Sequence, residues 1–351
     1  MSKERKSGFE LLRVLCIVGI IVMHTFPGVG EHASVFNREM NVLANSVFNT
    51  AVTCFVLISG YFGIQFRMKK LIELDLMVIC FSVLSTVVMG NYGMKALVKA
   101  CMPVITRQYW FISCYFALCI LAPCLNLIVE KLTKEQLGKM LFVMLLIFSV
   151  IPTFAMRDIM MDAGKGLFDF VMIYFLGRYI ALYAAKSYKC KPLVVGITFL
   201  VGLIFVLDSG LTLHKGVIYG TFSRDCSIFI IWAAVLIVLL FREMKFVSPA
   251  VNRIASNVLP VYVLDEMLRF ILSKWIKLDK FATEWYLILV VFFYALVVVV
   301  LAMGINELRK ATIGRLDPMI SELINKVLQK IKTGFIILLQ KAGKIFLIER
   351  Q

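Results

Sequence analysis

Three side chains in the stretch ELLRVLCIVGIIVMH, residues 10–24, have types that could do chemistry together: the Glu10 carboxylate, the Arg13 guanidinium and the His24 imidazole. An imidazole is the side chain best matched to taking a proton from a hydroxyl near neutral pH. A guanidinium binds phosphate or carboxylate through two parallel hydrogen bonds. On a helix turning about 100° per residue, Arg13 and His24 lie three turns plus roughly 20° apart, and so share a face at about 16 Å axial separation. Glu10 falls about 60° from Arg13 on the same projection. The three residues therefore form one polar stripe. Taken alone, Arg13 reads as a long side chain reaching headgroups and His24 as a polar residue at the interface. Their common face argues against both.

The stripe matters because of the helix that carries it. Of the 351 residues, 61% are hydrophobic, and the mean hydropathy is +0.89. Soluble domains hold roughly 45–50% apolar residues, so this composition predicts a polytopic membrane protein. Windows near the ~20 residues needed to span a bilayer recur at 9–27, 46–66, 71–90, 109–129, 138–155, 166–185, 192–208, 224–242, 254–273 and 284–304. The fold expected is all-α, with about ten transmembrane helices. Ionisable groups at depth are expensive and face a bundle interior or a wet cavity, which makes the stripe a functional candidate.

Basic residues test the topology, since they collect in cytoplasmic loops. Most of the 38 Lys and Arg fall in alternate segments: before the first window, around residues 67–70, 131–139, 186–191 and 242–253, and in the tail. An even span count with both termini in the cytoplasm follows. Basic loops facing anionic headgroups account for the +16 net charge without nucleic acid. A signal peptide over residues 1–30 is the competing reading; Glu10 and Arg13 beside the apolar run and the lack of a small-residue cleavage site oppose it. The nine cysteines form no CxxC pair and keep no company of histidines, so no metal is expected.

The chain divides into a membrane domain, 1–310, and a basic amphipathic tail, 311–351. In the tail, Ile320, Leu323, Ile324, Val327, Leu328 and Ile331 share one helical face, with Lys326, Lys330 and Lys332 on the other. That pattern and the short apolar run that follows predict a helix lying on the anionic lipid of the cytoplasmic leaflet, or a partner-binding coiled coil. Other polar groups near window ends are Ser59, Tyr109, Trp110, Arg178 and Asp265. Tyr109 and Trp110 also suit an interface belt, and Asp265 or Glu266 can pair with Arg269 one turn on.

These residues come in an order that resembles the bacterial membrane acyltransferase-3 family. Arg13…His24 matches the family's (R/K)-x10-H pattern, and Glu10 stands at the acidic position of its D/E-x-L-R start. FVLISGYF resembles the F-x-x-S-G-Y element and Arg67-Met-Lys-Lys70 the basic R-x-x-R motif; YWFISCYFALCILAPCLN is similar to the W-F element and NVLPVYVLDE to the late Y-L-x-H element. The likeness covers about residues 8–310. Two positions depart from it. Asp265, and Gln108 before the tryptophan, stand where relatives commonly carry histidine. His24 is then the one imidazole within a span, with His32 and His214 in outer loops.

The resemblance implies transfer of an acyl group, usually acetyl, from cytoplasmic acetyl-CoA to a hydroxyl of an extracytoplasmic glycan or related acceptor. His24 and Glu10 are then the catalytic candidates. Arg13, Arg67, Lys69 and Lys70 would hold the donor's phosphates, and Ser59, Tyr109, Trp110 and Asp265 would contact substrate. Acceptor choice would fall to outer loops 28–45, 91–108, 155–166 and 209–223. A transporter or flippase for a polysaccharide or lipid-linked sugar could use the same stripe, but the paired inverted repeats with broken helices that favour transport are not evident. A purely structural protein would leave the stripe unexplained.

Overall fold

The computed structural model describes residues 7–29 and 33–348, with the side chains of 332 and 334–348 left undescribed. His32 and the basic residues Lys3, Arg5 and Lys6 lie outside the described residues, as does the apolar side-chain run of the tail. The described residues hold fifteen α-helices, three short 3-10 helices, one π-helical turn and no strand. In chain order they are α1 Ser7–Thr25, α2 Val35–Phe48, α3 Thr50–Phe62, α4 Met68–Val88, α5 Met94–Cys101, α6 Trp110–Lys131, α7 Lys134–Leu145 and α8 Ile151–Ala155; α9 Leu167–Tyr183, α10 Cys190–Lys215, α11 Ile228–Glu243, α12 Pro249–Ala255, α13 Val258–Ser273, α14 Leu287–Ala311 and α15 Asp317–Ile348 follow.

Helix is what lipid demands, because each segment must satisfy its own backbone polar groups. Among the described residues, seven helical stretches are long and apolar enough to cross a membrane: Ser7–Val29, Val35–Phe62, Met68–Val88, Trp110–Lys131, Lys134–Ala155, Cys190–Lys215 and Leu287–Ala311. The other three apolar windows become α9, α11 and α13, of 17, 16 and 16 residues. These shorter helices pack deep in the bundle, α9 and α11 against α3, and α13 against α14 and α4.

Several segments read as loops are helical. Ser34 caps α2 by accepting from the Asn37 amide, as a short hydroxyl side chain does at an orphan N–H. Helix α2 meets α3 at Asn49, so most of 28–45 is helix. Helix α5 occupies part of 91–108, and α10 continues to Lys215, which puts His214 in its last turn. A π-helical turn at Leu146–Val150 precedes Pro152, the proline being unable to donate the backbone bond a regular helix needs.

Helix α1 is the axis of the bundle, in contact with α2, α3, α11, α12, α13 and α14. Its start is locked in place. Ser7 Oγ donates to Asn252 Oδ1 at 3.0 Å and accepts from the Ser248 amide at 2.8 Å. Gly8 sits so close to the Phe241 and Met244 carbonyls that a Cβ would not fit. The α3–α9 pair likewise meets backbone to backbone at Gly60 and Gly177, the small-residue packing common between membrane helices. Helix α13 is tied to α14 twice: Asn306 Nδ2 donates to Asn257 Oδ1 at 2.6 Å, and the Tyr294 hydroxyl donates to the Arg269 carbonyl at 3.0 Å. The end of the bundle with the start of α1, helix α12 and the start of α15 is the tail end; the other is the far end.

Candidate active site

A cavity of about 540 Å³ runs through the bundle between α1, α3, α4, α6, α13 and α14. His24, Trp110, Lys165 and Asp225 line it toward the far end, Arg13, Ser59 and Tyr115 its middle, and Lys70, Asn306 and Arg309 its tail end. Arg13 and His24 of the α1 stripe thus face this space, while Glu10 stays outside the lining.

At the far end, His24 Nδ1 lies 2.6 Å from Asp265 Oδ2. A carboxylate that accepts from Nδ1–H leaves Nε2 of a neutral imidazole with its lone pair. The Asp265 side chain is 4% exposed and also accepts from Arg269, Nε to Oδ1 at 2.8 Å and Nη2 to Oδ2 at 3.3 Å. Arg269 Nη1 reaches the His24 carbonyl at 2.9 Å. Asp265 and Arg269 together hold both the ring and the backbone of His24. The His24 side chain keeps 42% of its surface accessible. An imidazole with a carboxylate on Nδ1 has the arrangement of the histidine–aspartate half of a hydrolase-type triad.

Arg13 lines the same cavity, and its Nη1 donates to both oxygens of Glu10 at 3.0 and 3.2 Å. Glu10 is buried, lies about 21 Å along the helix from His24, and serves as the charge partner of Arg13. Lys70 also lines the cavity and pairs with Glu73 at 2.8 Å, whereas Arg67, which precedes α4, and Lys69 do not line it. Ser59 lines the middle, its hydroxyl spent on the Phe55 carbonyl at 2.9 Å. Trp110 lines the far end, with Lys165 Nζ 5.9 Å from its ring centre. Tyr109 is buried outside the lining, its ring centre 6.3 Å from that of Tyr262. Gln108 accepts from Ser82 Oγ at 3.0 Å and takes no part in the cavity.

Residues 6–306 match the family model described as an acyltransferase domain, Acyl_transf_3. The chain belongs to the acyltransferase-3 family. It is a membrane acyltransferase by that membership, while comparison with curated proteins and with solved structures returns no match.

In this acyltransferase-3 protein, the spacing in the sequence reached Arg13 and His24 because one helix carries both. It missed Lys165, Asp225, Asn306, Arg309 and Asp317, all of which line the cavity. Arg309 and Asn306, just past the window 284–304, and Asp225, at the start of the window 224–242, carried a usable signal as polar residues at the ends of apolar stretches. Burial pushes the Asp225 carboxyl up to about 7, the Lys165 ammonium opposing and the Asp162 carboxylate adding to the rise. A second cavity of about 490 Å³ opens at the far end, lined by Thr25, Glu266, Arg269, Ser273, Lys277 and Asp279. Arg269 links it to the His24–Asp265 pair. Among the described residues, no group of three or more His, Cys, Asp or Glu is placed to hold a metal.

Proposed function

We propose that this protein transfers an acyl group, acetyl in the simplest case, from cytoplasmic acyl-CoA to a hydroxyl of an extracytoplasmic glycan or related cell-surface acceptor. The carrying observation is that His24, held by Asp265, and the cations Arg13 and Lys70 open onto one continuous cavity. Its tail end and the middle beside it suit the donor's phosphates, with Lys70 at the mouth and Arg13 deeper as the donor contacts and Arg67 and Lys69 acting from the rim. The middle is lined mainly by apolar side chains such as Ile17, Ile20, Val52 and Phe55, which accommodates a flexible arm leading the thioester toward His24.

In this reaction His24 Nε2 takes the proton of the acceptor hydroxyl as its oxygen attacks the thioester carbonyl carbon. The C–S bond then breaks and the imidazolium returns the proton to the leaving thiolate, giving an ester and free CoA. Asp265 stabilises the imidazolium formed between these steps without itself taking the proton. The acceptor reaches His24 through the far-end cavity, whose carboxylates, hydroxyls and amines suit a polyhydroxylated ligand.

The topology that goes with this function is ten spans in the cell membrane, with both termini cytoplasmic and the tail helix against anionic lipid. Reporter fusions after residues 67, 134, 189 and 248 are expected to read cytoplasmic, and an outer signal at any of them breaks the arrangement. The function is tested with purified protein in detergent, acetyl-CoA and candidate glycans. Acceptor-dependent release of free CoA with formation of an ester is the expected result. Glycan movement across vesicles with no CoA released would replace transfer by transport.

A further inference from the structure

The tail-end mouth of the cavity holds a cation that the transfer chemistry leaves unused. Arg309, near the end of α14, lines the cavity and is 8% exposed. Its guanidinium carbon lies 5.7 Å from the centre of the Phe81 ring. A single nitrogen, Nη2, serves both oxygens of Asp317 at 2.9 and 2.7 Å. Nε is buried with no partner at all. Asn306, 1% exposed, gives its Nδ2 to Asn257 and leaves its buried Oδ1 unpaired. Lys310 and Lys70 stand at the same mouth on more exposed ground, held by Glu307 and Glu73 at 2.9 and 2.8 Å.

Buried polar atoms in native structures are nearly always paired, and an unpaired guanidinium N–H is among the less favourable exceptions. A guanidinium makes its strongest contact when two parallel N–H groups meet two oxygens. The Arg309–Asp317 contact does not use that fork, since one nitrogen is shared between both oxygens. A phosphate, with three oxygens and a larger negative charge, can take it. Asp317 begins α15, one short turn after α14, so the carboxylate arrives on a separate element.

We propose that Arg309, with Lys310 and Lys70 beside it, is the anion-binding end of the cavity, that its ligand is a phosphate-bearing group, and that Asp317 is a built-in carboxylate placeholder which this phosphate displaces. The assignment of that phosphate to CoA rests on the transfer function proposed above. Exchange of one anion for another keeps the buried guanidinium compensated throughout, which avoids an uncompensated buried charge. Because Asp317 heads α15 and α15 packs on α4, arrival of the donor loosens the head of the tail helix.

The test uses full-length protein in detergent, titrated calorimetrically with CoA and separately with inorganic pyrophosphate, for the wild type, Asp317→Asn, Arg309→Ala and Arg309→Lys. Removing the competitor should tighten both probes by about 3- to 10-fold in Asp317→Asn, and Arg309→Ala should weaken both by roughly 10-fold or more, as for loss of a charged hydrogen bond. Arg309→Lys should fall between, and it decides the matter if Asp317→Asn does not fold. If the wild type binds CoA and all three variants bind it equally well, the placeholder is overturned while acyl-CoA remains the donor. If pyrophosphate binds in an Arg309-dependent manner and CoA binds no tighter, the anion site stands and the CoA assignment fails. Arg309-dependent competition from phosphatidylglycerol in nanodiscs, absent with phosphatidylcholine, would assign the phosphate to lipid. Binding of neither probe overturns both.

Discussion

At the far end of the cavity, Asp265 is gripped from two sides, by His24 at 2.6 Å and by Arg269 at 2.8 Å, with 4% of its side chain exposed. At the tail end the pairs are looser: Lys70 meets Glu73 and Lys310 meets Glu307 with 70% and 44% of the lysine side chains exposed, and buried Arg309 keeps an unpaired Nε. The difference teaches what each end can do. Several partners on one carboxylate fix the tautomer and direction of the imidazole, which a proton transfer needs. Cations each paired with a single carboxylate can trade it for another anion, which reversible binding needs.

Breaking the rigid end should have the largest effect. His24→Ala is expected to lower turnover ~10²–10⁴-fold, the usual range for loss of a general base, while CoA affinity stays near the wild-type value; near-normal turnover would remove His24 from the chemistry. Asp265→Asn keeps the shape and releases the tautomer, so turnover should drop roughly 10²-fold with an altered pH–rate profile. An unchanged profile would reduce Asp265 to an ion-pair partner of Arg269.

Breaking the exchangeable side should act on binding instead. Arg13→Ala is expected to weaken CoA by about 10- to 150-fold, measured by calorimetry, with Arg13→Lys recovering part of it. Unchanged affinity in Arg13→Ala would make that residue a structural partner of Glu10. The smallest effect concerns Asp225 beside Lys165. Its folded pKa of about 7 stands above the ordinary 3.8, so the folded protein binds more protons than the unfolded one between these values. Stability is then unaffected below about pH 4 and falls as pH rises through that window. Asp225→Asn should flatten this slope in Tm measured from pH 4 to 8, and an unaltered slope would assign it to other groups.

Much of this was legible without coordinates because it is local. All ten apolar windows fall on helices, and Arg13 and His24 face one cavity, since composition and the 100° rotation per residue act within one segment. Boundaries were less legible where polar residues hide a helix. The stretch 35–45 carries Asn37, Arg38, Glu39, Asn41 and Asn45 and reads as part of the loop 28–45, yet it lies in α2. The pairing of Asp265 with Arg269 was readable from its four-residue spacing. Its bond to His24, across 241 residues, was not.

The sequence by itself determined that this is an all-helical protein with apolar spanning segments, the stripe on its first helix, and family motifs in order. Only the tertiary structure decided which charges meet. Whether Asp265 reaches His24, or Asp317 reaches Arg309, depends on each helix's rotation and axial offset. Those are set by contacts such as Ser7 with Asn252, Gly60 against Gly177 and Asn257 with Asn306. Such contacts join segments far apart in the chain, and no periodicity within either segment encodes them.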